Sequence, residues 1–176
     1  MNGRIGREWS PVGLGCWQLG ADWGEVDEGD ALAVLGAAAD SGVTFFDTAD
    51  VYGDGRSETL VGRFLTGQSI RERGDGIFVA TKMGRRVDQV PESYTLENFR
   101  AWNDRSRKNL GVDTLDLVQL HCPPTAVYSS DEVVDALDTL VAENRSAADG
   151  GRGETRAEAL TAMARPGVAR VQIILN

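Results

Sequence analysis

Short apolar runs alternate with longer amphipathic stretches along this chain. Val43-Thr44-Phe45-Phe46, Ile77-Phe78-Val79-Ala80-Thr81 and Leu115-Asp116-Leu117-Val118-Gln119-Leu120 have strand length and are rich in β-branched and aromatic residues. Val12-Gly13-Leu14-Gly15-Cys16-Trp17-Gln18-Leu19-Gly20 reads as a first strand that ends in a glycine-rich loop. Its glycines let the backbone pass close to a neighbour or a ligand; a tight strand without any ligand accounts for them equally well.

The intervening stretches have helical spacing. Asp27 reads as an N-cap with Asp30 in the first turn, Leu32, Leu35 and Ala39 share a face, and Gly42 stops the helix. Ser57 is the expected cap of a second helix carrying Leu60, Val61, Phe64 and Leu65. A polar surface connection fills 67–76, and a long loop runs from Met83 to Tyr94. Thr95 caps a third helix with Leu96, Phe99, Trp102 and Leu110, ended by Gly111. Ser130 caps a fourth with Val133, Val134, Leu137, Leu140 and Val141. Thr155 and Glu158 form a capping box for a fifth, with Leu160 and Met163 expected to face inward and Pro166-Gly167 closing it. A last strand spans Val168 to Leu175.

Strands alternating with helices predict an α/β fold with a parallel sheet and right-handed crossovers. Six strand–helix positions within one domain, 1–176, correspond to an incomplete (β/α)8 TIM barrel, since a full barrel needs about 250 residues. The fifth strand falls in Arg145-Ser146-Ala147-Ala148-Asp149-Gly150-Gly151-Arg152-Gly153, which has no β-branched or large apolar residue. It is expected to be degraded and poorly formed.

Composition adds limits. Hydrophobic residues make up 41% and charged residues 26%, an ordinary globular balance. The formal net charge of -9 disfavours phosphate backbones and anionic membranes, so neither nucleic acid nor membrane is an expected partner. Cys16 and Cys122 form no metal or disulfide motif, and the first residues lack an apolar signal core; a cytoplasmic setting is expected, with no metal.

The chemistry sits at strand ends, where parallel barrels collect their active sites. Asp47 follows the second strand, Lys82 the third and His121 the fourth, while Tyr52 lies on the loop five residues beyond Asp47. Strand alternation puts Phe45 with Asp47, Phe78 and Ala80 with Lys82, and Leu117 and Gln119 with His121. If those faces line a barrel interior, the four groups converge at its mouth. Lys82, anchored by Asp47, is expected to stabilise the phenolate of Tyr52 and make it a usable proton donor. His121 would orient a carbonyl. Hydride must then come from a cofactor. Singly, each residue has a plainer reading: a turn aspartate, an exposed lysine, a loop tyrosine, a packed histidine.

The chain resembles the aldo-keto reductases in Gly-Leu-Gly-Cys-Trp-Gln-Leu-Gly (13–20), Phe-Asp-Thr-Ala-Asp-Val-Tyr-Gly (46–53), the Gly55-Arg56-Ser57-Glu58 continuation, Ala-Thr-Lys (80–82), Leu110 to Asp116 and Val118-Gln119-Leu120-His121. The resemblance implies an NADP(H)-dependent oxidoreductase that interconverts aldehydes or ketones and alcohols. Tyr52 would be the general acid, Lys82 and Asp47 would set its pKa, and His121 would orient the carbonyl. Trp17, Asp47 and Gln172 would contact NADP, with Gln172 holding the nicotinamide carboxamide. The small-molecule substrate stays unnamed, its pocket expected near Trp23 and Arg85. The sequence departs from the family where a Gly-Val-Ser motif gives way to Gly150-Gly151-Arg152-Gly153, so Arg152 replaces the serine. The residues that bind the adenosine phosphate in the family lie beyond Asn176, and the chain reads as a truncated reductase of weak or no activity. The alternative is a non-catalytic relative, akin to channel β-subunits, that associates through an open barrel edge. A different barrel enzyme, such as an isomerase, fits the four groups less well.

Overall fold

The computed structural model describes residues 9–21, 24–67, 76–165 and 167–173. Six strands lie parallel, in chain order, in one sheet: β1 Leu14–Gly15, β2 Phe45–Asp47, β3 Phe78–Met83, β4 Leu117–His121, β5 Asp149–Arg152 and β6 Arg170–Gln172. A helix follows each of the first five: α1 Glu28–Asp40, α2 Arg56–Thr66, α3 Leu96–Leu110, α4 Asp131–Ala142 and α5 Arg156–Met163. The sheet curls into part of a (β/α)8 barrel, with β1 and β6 as its edges. Trp23, Pro166, the far end of the sixth strand and most of the 67–76 connection lie outside the described residues.

The two-residue alternation of the strands sorts the core into two layers. Phe46, Val79, Val118 and Leu120 face the helices and pack with Leu35, Leu60, Phe99 and Leu140. Phe78, Ala80, Leu117 and Ala148 form a smaller inner cluster with Phe45 and Trp9. Trp9 closes the N-terminal end of this inner face, its ring 5.3 Å from Phe45 and 4.7 Å from Phe78. The same alternation leaves Asp47, Lys82, His121, Arg152 and Gln172 on the inner face at the opposite end of their strands.

Local signals fix most helix ends. The Asp27 carboxylate accepts the Gly29 N–H at 2.6 Å, and Thr95 and Ser130 cap α3 and α4. Thr155 and Glu158 make a reciprocal capping box. Each such cap contributes about 1 kcal/mol.

Four expectations change. Ser57 does not cap α2: the helix starts one residue earlier, after Gly55, and the buried Ser57 hydroxyl donates to the Cys16 carbonyl at 2.7 Å. A tertiary partner replaces the local one. Leu160 and Met163 face outward, 55% and 66% exposed, while Ala159 and Ala162 are buried. Small residues are selected there because α5 sits close to Gly151 of β5. Finally, β5 is formed, pairing Val118 with Asp149 through His121 with Arg152 on one side and reaching β6 on the other. A central parallel strand gains backbone hydrogen bonds from both neighbours, which offsets a composition poor in strand formers. The predicted first strand is only two residues long, because Trp17–Gly20 turns into a 3₁₀ segment.

Gly151 borders a cavity of about 30 Å³ lined by Leu120, Tyr128, Leu137 and Ala162. A methyl group there would meet Tyr128 at 3.5 Å and Ala162 at 3.9 Å, ordinary contact distances. Gly151→Ala is therefore expected to raise stability by about 0.4–1 kcal/mol. Urea unfolding checks this, and an unchanged or lower midpoint would show that β5 needs its glycine.

Asp50 lies fully buried behind β2. Neither carboxyl oxygen has a well-formed partner among the described residues. Burial first, then nearby Glu58, pushes its pKa up to about 7. Between the unfolded value of 3.8 and about 7 the folded state holds the extra proton, so stability falls as pH rises through that window. Asp50→Asn removes this dependence. The variant's melting temperature, relative to wild type, is expected to climb from pH 4 to pH 8; parallel curves would exclude the ionisation cost.

Candidate active site

The site begins with a buried lysine. Lys82 points from β3 to the inner face with its side chain 1% exposed, and an isolated ammonium there would be strongly penalised. Asp47, at the end of the adjacent strand, answers it at 2.5 Å, and the Thr48 carbonyl accepts a second bond at 2.8 Å. Burial lowers the lysine pKa despite Asp47, and Arg152 pushes it in the same direction.

Tyr52 is brought over this pair by backbone geometry. Gly53 has φ 58°, and a Cβ on it would stand 2.1 Å from the Gly20 carbonyl oxygen. No other residue allows the Tyr52 loop to lie so close to the Trp17–Gly20 turn. The Tyr52 ring centre is 5.4 Å from Lys82 Nζ, 5.9 Å from the His121 ring and 6.2 Å from the Trp17 ring. Asp47, Lys82, Tyr52 and His121, spread over 75 positions, are thus gathered at one end of the sheet.

Burial dominates the electrostatics of these groups. The phenol of Tyr52 is pushed up to about 12, first by burial and then by Asp47, with Arg152 and Arg85 pulling it down. His121 is held down at about 3 by burial, with Lys82, Arg85 and Arg152 adding to the effect, so its imidazole is neutral at physiological pH.

A cleft of about 580 Å³ opens above these groups, lined by Trp17, Tyr52, Arg85, His121, Arg152 and Glu154. Trp17 is 42% exposed and forms one wall. Gln172 ends β6 opposite Arg152, and its buried Oε1 has no partner among the described residues. It shares a neighbouring hollow of about 380 Å³ with Trp9, Gly15 and Asp47. Among the described residues no group of His, Cys, Asp and Glu is arranged to hold a metal. No described helix is long and apolar enough to cross a membrane.

Arg152 and Glu154 were not legible as cleft residues. Arg152 stands out in the sequence only as a replacement for serine, but the β4–β5 register sets it beside His121, with Nη1 3.2 Å from Nε2. Counting both strands back from their ends would have predicted that pairing.

Comparison with known proteins places this geometry in a family. The aldo/keto reductase family profile matches residues 11–163. The oxidoreductase YqkF of Bacillus subtilis is 35% identical over 138 residues, which cover 76% of this chain and 42% of that protein. An aldo-keto reductase of Bacillus halodurans in its holo form superposes with a TM-score of 0.77 at 27% identity, over 94% of this chain and 53% of that one. An aldo-keto reductase of Klebsiella pneumoniae, solved with NADPH, gives a TM-score of 0.67 at 26% identity over 85% and 47%. The chain spans about half the length of these three proteins or less. Profile, sequence relatives and superposed folds agree: this chain belongs to the aldo/keto reductase family.

Proposed function

We propose that the chain carries the catalytic constellation of an NADP(H)-dependent oxidoreductase that interconverts a small carbonyl compound and its alcohol. The observation that supports this most is the gathering of Tyr52, the Lys82–Asp47 pair and His121 on one cleft. The NADPH-bound relative supports the choice of cofactor. The residues present fit a nicotinamide: Trp17 offers a flat apolar wall, Asp47 borders the adjoining hollow, and the unpartnered Gln172 Oε1 suits a carboxamide N–H. Such a cofactor supplies the hydride that reaches the carbonyl carbon.

The chain's own task is then the proton and the orientation. Tyr52 gives its hydroxyl proton to the carbonyl oxygen as the alcohol forms. Its raised pKa keeps it protonated through neutral pH, ready to act as an acid. The phenolate left behind faces Arg152 and Arg85, and solvent returns its proton. Lys82 spends two donors on Asp47 and Thr48, which leaves one of its three for the phenol. His121 is a neutral ring packed against that of Tyr52 and gives the cleft part of its shape beside the phenol. A cytoplasmic setting is consistent with two free cysteines.

The sheet edges favour a second reading, a module that associates through them. Val12 beside β1 and Ile173 beside β6 are 68% and 42% exposed, and Leu160 and Met163 add apolar surface on α5. Unpaired strand edges of this kind recruit partner strands.

Calorimetric titration with NADPH is expected to show binding in the micromolar range, about −8 kcal/mol. Tyr52→Phe is expected to keep that binding and the fold while lowering carbonyl reduction by at least about 100-fold, the usual contribution of a positioned general acid. Equal turnover in the variant would remove the proton-donor role, and absence of NADPH binding would favour the non-catalytic reading. Sedimentation velocity addresses the edges: the chain is expected to self-associate as concentration rises, and a strictly monomeric profile would exclude edge pairing.

A further inference from the structure

The cleft carries more positive charge than the molecule around it. The chain has a formal net charge of -9, yet this wall sets Arg85 and Arg152 against one carboxylate, Glu154. Lys82 behind them is matched by Asp47. A cationic focus in an acidic protein draws anions to the cleft and little else on the surface. Arg152 is its inner member: it is half-buried, whereas Arg85 is exposed. Tyr52, Lys82, His121 and Cys122 all lie within its electrostatic reach.

The contact with His121 defines which atoms face the cleft. A guanidinium only donates, so the 3.2 Å approach of Arg152 Nη1 makes His121 Nε2 the acceptor and puts the ring proton on Nδ1. Nδ1 is buried with no partner among the described residues. A ring held this way has no N–H at Nε2 to offer a substrate. The donors that remain at the rim are the other N–H groups of Arg152, a planar fork that matches a carboxylate at two points.

We propose that Arg152 anchors the substrate in this cleft, and that the substrate is a short 2-oxo acid whose carboxylate meets the Arg152 fork while its carbonyl oxygen lies at Tyr52. Arg152 touches His121, whose ring packs 5.9 Å from that of Tyr52, and all three line one cleft, so a substrate with its carboxylate next to its carbonyl suits the site. A neutral carbonyl compound would leave the fork without its anion, and that mismatch is what discriminates. The reduction itself is the one proposed above: hydride from NADPH to the carbonyl carbon, the Tyr52 proton to its oxygen. The assignment of substrate rests on that reading.

His121 is the only histidine in the chain, so ¹⁵N NMR of the full chain reads one imidazole. Without ligand, its signals are expected to show a protonated Nδ1 and a pyridine-like Nε2. Titration with pyruvate, in the absence of cofactor, is expected to shift those signals saturably. Pyruvamide should bind at least about tenfold more weakly. Arg152→Gln should erase the preference, and Arg152→Lys should restore part of it. If Arg152→Gln does not fold, Glu154→Gln takes its place: loss of the opposing carboxylate should tighten pyruvate and leave pyruvamide unchanged. Equal binding of the two ligands, no binding of either, a preference that survives Arg152→Gln, or indifference to Glu154→Gln would each overturn the proposal. An NADPH titration alongside separates the two levels. Pyruvate preference without NADPH binding removes the reductase reading and keeps the Arg152 anion site; NADPH binding without the preference does the reverse.

Discussion

A buried ammonium inside a sheet is the constraint to which the rest of the site answers. Lys82 lies within β3 on the inner face, out of reach of bulk water. Its charge is tolerable only because β2 ends on Asp47 one strand away and then turns the Thr48 carbonyl toward it. Removing one partner of such a pair costs about 3–5 kcal/mol, because the other is left charged and unmatched. The pair therefore fixes how far β2 extends and where its loop leaves. That loop is the one that carries Tyr52, and Gly53 lets it settle on the Trp17–Gly20 turn. Tyr52 is placed by the strand pair and Gly53 together with its ring contacts to Trp17 and His121.

Strand register carries the same logic around the sheet. Ala80 sits opposite Leu117, which makes Lys82 a neighbour of Gln119 and brings His121 to the rim. His121 sits opposite Arg152, and Arg152 opposite Gln172. A shift of one residue in any pair would turn these groups outward into the helix layer. The apolar layer prevents it: Phe46, Val79, Val118 and Leu120 must meet the helices, while the Trp9–Phe45–Phe78 stack holds the inner face. Packing of both layers thus aims the polar rim.

Much of this was legible in the sequence because it depends on local physics. Caps at Asp27, Thr95, Ser130 and Thr155 act through the nearest N–H groups, and the alternation of Phe45, Phe46 and Asp47 is a property of any strand. What escaped depends on partners distant in the chain. Ser57 looks like a cap until Cys16, far away in sequence, offers a carbonyl. Leu160 and Met163 look like core until the glycines of β5 draw Ala159 and Ala162 inward instead. β5 itself looks unformed because propensity ignores its two neighbours.

Asp47, paired with Lys82 in the barrel interior, raises the Tyr52 phenol, second only to burial. The cations that do lower the phenol are Arg152 and Arg85, on the opposite wall. Arg152 also adds, well behind burial, to the lowering of His121 and Lys82. A serine at that position would leave the phenol facing Asp47 and burial with less to oppose them. The replacement of a small hydroxyl by a guanidinium is therefore not a neutral departure on a degraded strand. It adds a guanidinium to the lining of the cleft, beside His121.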